Sequence, residues 1–205
     1  MAYIKMQDIL DEFSRHNKKV FSINDVARII DKPKTYASKL LSHSRKVGRI
    51  ERGKYYLKDF DGPDMYEIAS QIVFPSYVSM FAAFQYYSIT EQDIVRYSVV
   101  TIKRHRPVKI GDTVIEFVTF GRDRFFGYKK VGNLYIATVE KAIIDSLYMG
   151  SPPLSYVEEA FSAASRMGLV SKDVLMNTAS RMRSKVTEKK VLALIGTSGI
   201  GDAPG

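Results

Sequence analysis

One stretch constrains this 205-residue chain more than any other: Ser22 to Leu57, SINDVARIIDKPKTYASKLLSHSRKVGRIERGKYYL. Ser22 followed three residues later by Asp25 reads as a helix start, because the serine oxygen can accept a backbone N–H and a first-turn carboxylate faces the positive helix end. Ile23, Val26, Ala27 and Ile30 then recur at helical spacing. Asp31-Lys32-Pro33 ends that helix, since proline disfavours the α conformation at the residue before it and suits the first turn of the helix after it. The pattern predicts a second helix over 34–46. Ala37, Leu40, Leu41 and Val47 form its apolar side; Lys34, Thr35, Tyr36, Ser38, Lys39, Ser42, His43 and Arg45 form the other, with no acid among them. Arg49-Ile50-Glu51 and Lys54-Tyr55-Tyr56-Leu57, joined by Arg52-Gly53, read as a β-hairpin.

Helix, turn, polar basic helix and basic hairpin match the winged helix-turn-helix, in which the second helix enters the DNA major groove and the wing grips the flanking backbone. Charge supports a nucleic-acid partner. From Arg28 to Lys58 there are ten Lys and Arg against two acids, a net of +8, while the whole chain carries +9. An excess concentrated on one small module fits phosphate neutralisation. The bland alternative is a solvated basic face on a structural or protein-binding module. Lys34, Thr35, Tyr36, Ser38 and Lys39 are expected to face the major groove, where Lys can donate to guanine edges and the hydroxyls can read bases or hold phosphate. Ser42 and Arg45 are expected on the backbone, Lys32 joins this set from the turn, and Arg52 and Lys54 are expected to anchor the wing.

Composition narrows the remaining classes. There is no cysteine, which excludes a disulfide framework, a thiolate metal site and a cysteine nucleophile. His16, His43 and His105 are scattered, so they read as surface histidines rather than as a metal cluster, and nothing in the sequence asks for a cofactor. The N-terminal MAYIKMQDILDEF is amphipathic and acid-containing, unlike a signal peptide. No apolar run approaches the ~20 residues needed to span a bilayer. A cytoplasmic protein with no membrane partner is expected. No heptad sets an oligomeric state.

Residues 2–16 read as a first helix with Ile4, Ile9, Leu10 and Phe13 buried, and Phe21 is placed to add a short strand to the wing. KDFDGPD, Lys58 to Asp64, marks a boundary, beyond which the net charge from Asp61 to Gly205 is only +2. Helices are predicted over 65–73 and 76–87, the second capped by Ser76 with Val78, Phe81, Ala82 and Phe84 inward. β-rich runs at 94–101, 113–120 and 127–136, the last turning at Gly132-Asn133, predict an antiparallel sheet of three to five strands. Lys103-Arg104-His105-Arg106 lies between the first two runs and suits a phosphate, an acidic partner or simple solvation. A helix over 137–149 is capped by Thr138, with Val139, Ala142, Ile143 and Leu147 inward, and three more helices are predicted over 155–167, 171–183 and 186–195. The last ten residues, GTSGIGDAPG, read as a disordered tail and not as a phosphate loop.

The order of these parts resembles the AbiE-type antitoxin family of type IV toxin–antitoxin systems. The resemblance is carried by the N-terminal module, then SYVSMFAAFQYYSIT with Ser79 and Ala82, then VTIKRHRPVKIGDTVIEFV, then YIATVEKAIIDSLY with Ala137, Glu140 and Asp145. It implies a protein without an active site. It also implies binding to inverted repeats in its own promoter, repression of that operon, and opposition to a partner toxin of nucleotidyltransferase fold. A stand-alone winged-helix transcription regulator is the alternative.

An enzymatic alternative is a metal-dependent nuclease using Asp112, Glu116, Glu140 and Asp145, since Mg²⁺ sites need clustered carboxylates. Phe117 and Val118 follow Glu116 where a polar-Lys pair would be expected, and a five-residue spacing turns Glu140 and Asp145 about 140° apart on a helix. The expected fold is therefore α+β: a winged helix-turn-helix on residues 1–60, a mostly helical domain with a small antiparallel sheet on 61–195, and a tail on 196–205.

Overall fold

The computed structural model describes residues 6–16, 18–58, 64–93 and 96–197. Its N-terminal part begins with helix α1 (Met6–Arg15), which turns Ile9, Leu10 and Phe13 inward; the expected Ile4 lies outside the described residues. Strand β1 (Val20–Ser22) leads into α2 (Ile23–Ile30). Ser22 caps α2 reciprocally: its Oγ accepts from the Asp25 N–H, and its own N–H donates to Asp25 Oδ2 at 2.8 Å. Asp31, left-handed at φ 50°, closes α2 by donating to the carbonyls of Ala27 and Arg28. Helix α3 (Lys34–Ser42) follows, then the hairpin β2 (Val47–Glu51) and β3 (Lys54–Leu57). The three strands form an antiparallel sheet in the order β1-β3-β2, with Val20 opposite Tyr56 and Val47 opposite Leu57. Gly48 is required here, because a Cβ would sit 2.1 Å from the Tyr56 ring. Phe13, Phe21 and Tyr55 stack in series within a core completed by Val26, Ile30, Ala37 and Leu41.

The larger part runs α4 (Met65–Ile72), β4 (Ser76–Val78), α5 (Met80–Tyr86), β5 (Arg96–Thr101), β6 (Val108–Ile110), β7 (Thr113–Thr119), a 3-10 turn (Arg122–Arg124), β8 (Tyr128–Val131) and β9 (Leu134–Ala137). Helices α6 (Val139–Met149), α7 (Leu154–Arg166), α8 (Lys172–Arg181) and α9 (Lys185–Thr197) close it. The strands form one mixed sheet of order β6-β7-β5-β4-β9-β8. Strand β5 pairs parallel with β7, and β4 parallel with β9; the other neighbours are antiparallel. Helix α6, capped by the Thr138 hydroxyl, is buried on almost every side. Val20, Ile50 and Tyr56 of the small sheet join the hydrophobic core of the large one, so the two parts are docked through apolar surface.

This architecture corrects the fold expected from sequence. The chain is not an N-terminal winged helix-turn-helix followed by a mostly helical domain. It is mixed α/β, with helices interspersed among the strands of a three-stranded and a six-stranded sheet among the described residues. The expected small antiparallel sheet is larger and partly parallel, because β4 and β5 find partners far along the chain, through crossovers that local pattern cannot show. The helix expected over 76–87 splits. Ser76-Tyr77-Val78 is a strand buried on both faces, and Ser79, not Ser76, precedes the helix. Of the expected tail, residues 198–205 lie outside the described residues, while 196–197 end α9. The expected turn at 58–64 lies mostly outside them too.

Candidate nucleic-acid interface

Helix α3 buries Ala37 and Leu41 and exposes nearly everything else. Thr35, Ser38 and Ser42 recur at i, i+3 and i+7, so they form one stripe of small hydroxyl side chains along the outer face. On one side of that stripe lies an open concave surface of about 680 Å³, lined by Ile23, Asn24, Lys34, Thr35, Ser38, Arg49, Arg52, Gly53 and Tyr55. On the other, Tyr36 and Lys39 join Thr35, Ser38 and Ser42 around a second concavity. No acid lines either surface. Nine residues of helix give a rod about 14 Å long, comparable with the ≈ 12 Å width of a B-DNA major groove.

The expected site residues divide. Lys34, Thr35, Tyr36, Ser38 and Lys39 come together on α3 as expected, and Lys32 is exposed in the turn before it. Arg52 sits in the hairpin turn beside Gly53, whose φ of 77° the turn requires. Ser42 is the last helical residue, its Oγ donating 2.8 Å back to the Lys39 carbonyl. Arg45 is not on the helix: α3 stops at Ser42, and Arg45 is exposed in the turn before β2. Lys54 is corrected. Its Nζ donates 2.6 Å to the Ile72 carbonyl and lies 3.2 Å from Glu51 Oε1, so it fastens the hairpin to the larger part and does not face the concave surface.

Sequence reading missed Arg49 and Asn24. Arg49 is exposed on β2 and reaches the surface from the strand, its Nε donating 3.3 Å to the Glu51 carbonyl. Period-2 alternation with the buried Gly48 and Ile50 was the available signal. Glu51, the hairpin's one acid, turns away. Partial burial would raise its pKa, but the Lys54 ammonium and His105 outweigh that and hold the carboxyl below its ordinary value.

Of the four carboxylates of the nuclease alternative, Asp112 is exposed in the turn before β7, and the other three are engaged separately. Glu116 pairs with Arg96, Glu140 accepts from the Ser171 N–H at 3.3 Å, and Asp145 is wholly buried. Among the described residues, no three His, Asp or Glu gather as a cation's ligands would. Asp145 instead holds a closed network. Lys141, four residues before it on α6, is its ion-pair partner; Ser79 Oγ and Tyr77 Oη donate to its second oxygen at 2.7 and 3.1 Å. The rings of Phe126, Phe120 and Tyr77 surround the Lys141 ammonium at 4.6, 5.1 and 6.0 Å. Burial pushes the Asp145 carboxyl up and the Lys141 ammonium down. These residues tie β4, α5 and α6 together.

Among the described residues, no helix is long and apolar enough to cross a membrane. The chain matches no protein-family model, and a search of curated proteins found no match to it.

Proposed function

We propose that this protein binds double-stranded DNA sequence-specifically, in the cytoplasm, and represses its own operon from inverted repeats. The observation that carries this reading is the acid-free concave surface in which the hydroxyl stripe of α3 meets Lys34, Arg49 and Arg52. Hydroxyls of threonine and serine can donate to or accept from base edges, while flanking cations meet phosphates on either side of a groove. Inverted repeats, autorepression and opposition to a nucleotidyltransferase-type toxin enter from the resemblance to AbiE-type antitoxins.

The test is a gel-shift titration on the DNA upstream of the gene against scrambled DNA of equal length at physiological salt. A preference of at least ~10³-fold for the upstream DNA is expected. Equal, weak binding to both would leave a basic protein-binding surface and sink the reading. Co-expression with the neighbouring gene then tests the antitoxin role, which predicts rescue of growth.

A further inference from the structure

The basic loop Lys103-Arg104-His105-Arg106 belongs to the six-stranded sheet, where it joins β5 to β6. It does not project into solvent away from the hairpin; it is fixed against it. His105 Nε2 lies 3.4 Å from Glu51 Oε2, and its ring packs edge-on against Phe117 at 4.6 Å. Lys103 Nζ donates 2.6 Å to the Phe74 carbonyl, two residues from the Ile72 carbonyl that receives Lys54. One lysine from the hairpin and one from the loop thus grip the same short segment. Arg104 and Arg106 flank the fixed His105, are exposed, and have no ion-pair partner among the described residues. Arg52, next in the chain to Glu51, lines the concave surface with Lys34. The Glu51–His105 contact therefore fixes the loop to the hairpin whose turn carries Arg52. Glu51, the hairpin's one acid, is held there between Lys54 and His105 and away from the concave surface.

We propose that the loop is a second phosphate-binding element of the same interface, with Arg104 and Arg106 meeting the DNA backbone beyond the site covered by α3 and the hairpin. This rests on the DNA-binding reading above. A duplex suits the arrangement because its phosphates recur along a rigid line, so cations held in fixed relation on two elements can be met together.

The experiment uses the full chain and two duplexes of upstream DNA: one trimmed to the site that α3 and the hairpin protect from cleavage, and one extended by about one helical turn, roughly ten base pairs, on each side. Affinity is measured across a salt series for wild type, Arg104→Gln/Arg106→Gln and Arg49→Gln/Arg52→Gln. Wild type should prefer the extended duplex. Arg104→Gln/Arg106→Gln should abolish that preference and lower the salt slope by about two units there, since each phosphate contact contributes roughly 0.9, while matching wild type on the trimmed duplex. Both arginines are exposed, so the melting temperature should not move. If wild type binds its DNA specifically, Arg49→Gln/Arg52→Gln weakens it, and Arg104→Gln/Arg106→Gln behaves as wild type on both lengths, this inference alone is overturned and the loop is free for an acidic protein. If wild type shows no preference for upstream DNA, the DNA-binding reading falls, and the inference with it.

Discussion

Lys141 and Asp145 show what a buried pair demands of its neighbours. Both side chains are wholly buried, and every contact around them is intramolecular: two hydroxyls on the carboxylate, three rings and the Met182 sulfur, at 3.3 Å, around the ammonium. Such a pair is costly to desolvate, yet more costly to break, because removing one partner strands the other charge in a medium that cannot solvate it. Lys141→Met should therefore destabilise the fold by about 3–5 kcal/mol, and Lys141→Met/Asp145→Leu should recover much of that loss. Urea unfolding measures both. A single variant no less stable than the double would contradict the ion-pair account.

The hairpin carries two cations with opposite assignments, and its chemistry separates them. Arg52 is exposed on the concave surface, whereas Lys54 is committed to the Ile72 carbonyl and Glu51. Arg52→Gln should weaken binding on all DNA sequences and lower the salt slope by about one unit, with stability unchanged. Lys54→Gln should do the reverse, costing about 1–3 kcal/mol of stability while leaving the slope alone. Equal loss of slope in both would return Lys54 to the interface. That division was not legible in the sequence, where both residues are simply basic hairpin positions. The partner of Lys54 is a main-chain carbonyl eighteen residues on, and no local pattern encodes it. What could be read were features whose cause is local: the Ser22–Asp25 cap, the hairpin turn at Arg52-Gly53, the strand through Phe21, and the α6 stripe of Val139, Ala142, Ile143 and Leu147. Strand β4 could not, since three residues buried on both faces show no alternation, and Tyr77 and Val78 also fit a helical face. For the same reason the outward stripe of α3 was readable while Arg45 was misplaced: the helix ends at Ser42, four residues earlier than its composition suggests.

At the scale of the whole molecule, docking sets the unfolding behaviour. Val20, Ile50 and Tyr56 bury themselves in the core of the larger part, and Lys54 and His105 add polar fastenings across the same boundary. Shared core of this kind predicts one cooperative transition, with calorimetric and van't Hoff enthalpies equal, rather than two. Acid should weaken that state. For Asp25, partial burial raises the pKa, but the Ser22 backbone and Lys18 bring it below the ordinary 3.8; Glu51 is likewise held below 4.5. Depressed carboxyls stabilise fully above their unfolded values, and the contribution is lost as pH falls through the lower native ones. Asp145, raised by burial, works in the opposite sense and subtracts from that loss. Stability should thus decline from about pH 5 downward, and Asp25→Asn/Glu51→Gln should flatten the decline while lowering stability at pH 7. An unchanged acid limb in that variant would remove these two groups from the account.

Strand β8 has a consequence for how copies of the chain can meet. It is an outer strand of the large sheet, exposed at all four residues, with Lys129 over the Tyr87 ring and Lys130 over the Tyr135 ring at 5.3 and 5.7 Å. Lysines held over rings in this way keep charge along a rim whose free peptide groups would otherwise template another strand. If two copies bind neighbouring half-sites, as the proposed function has it, this rim is guarded against a continuous intermolecular ladder. Cooperation between such copies would then run through other surfaces or through the bend and twist of shared DNA.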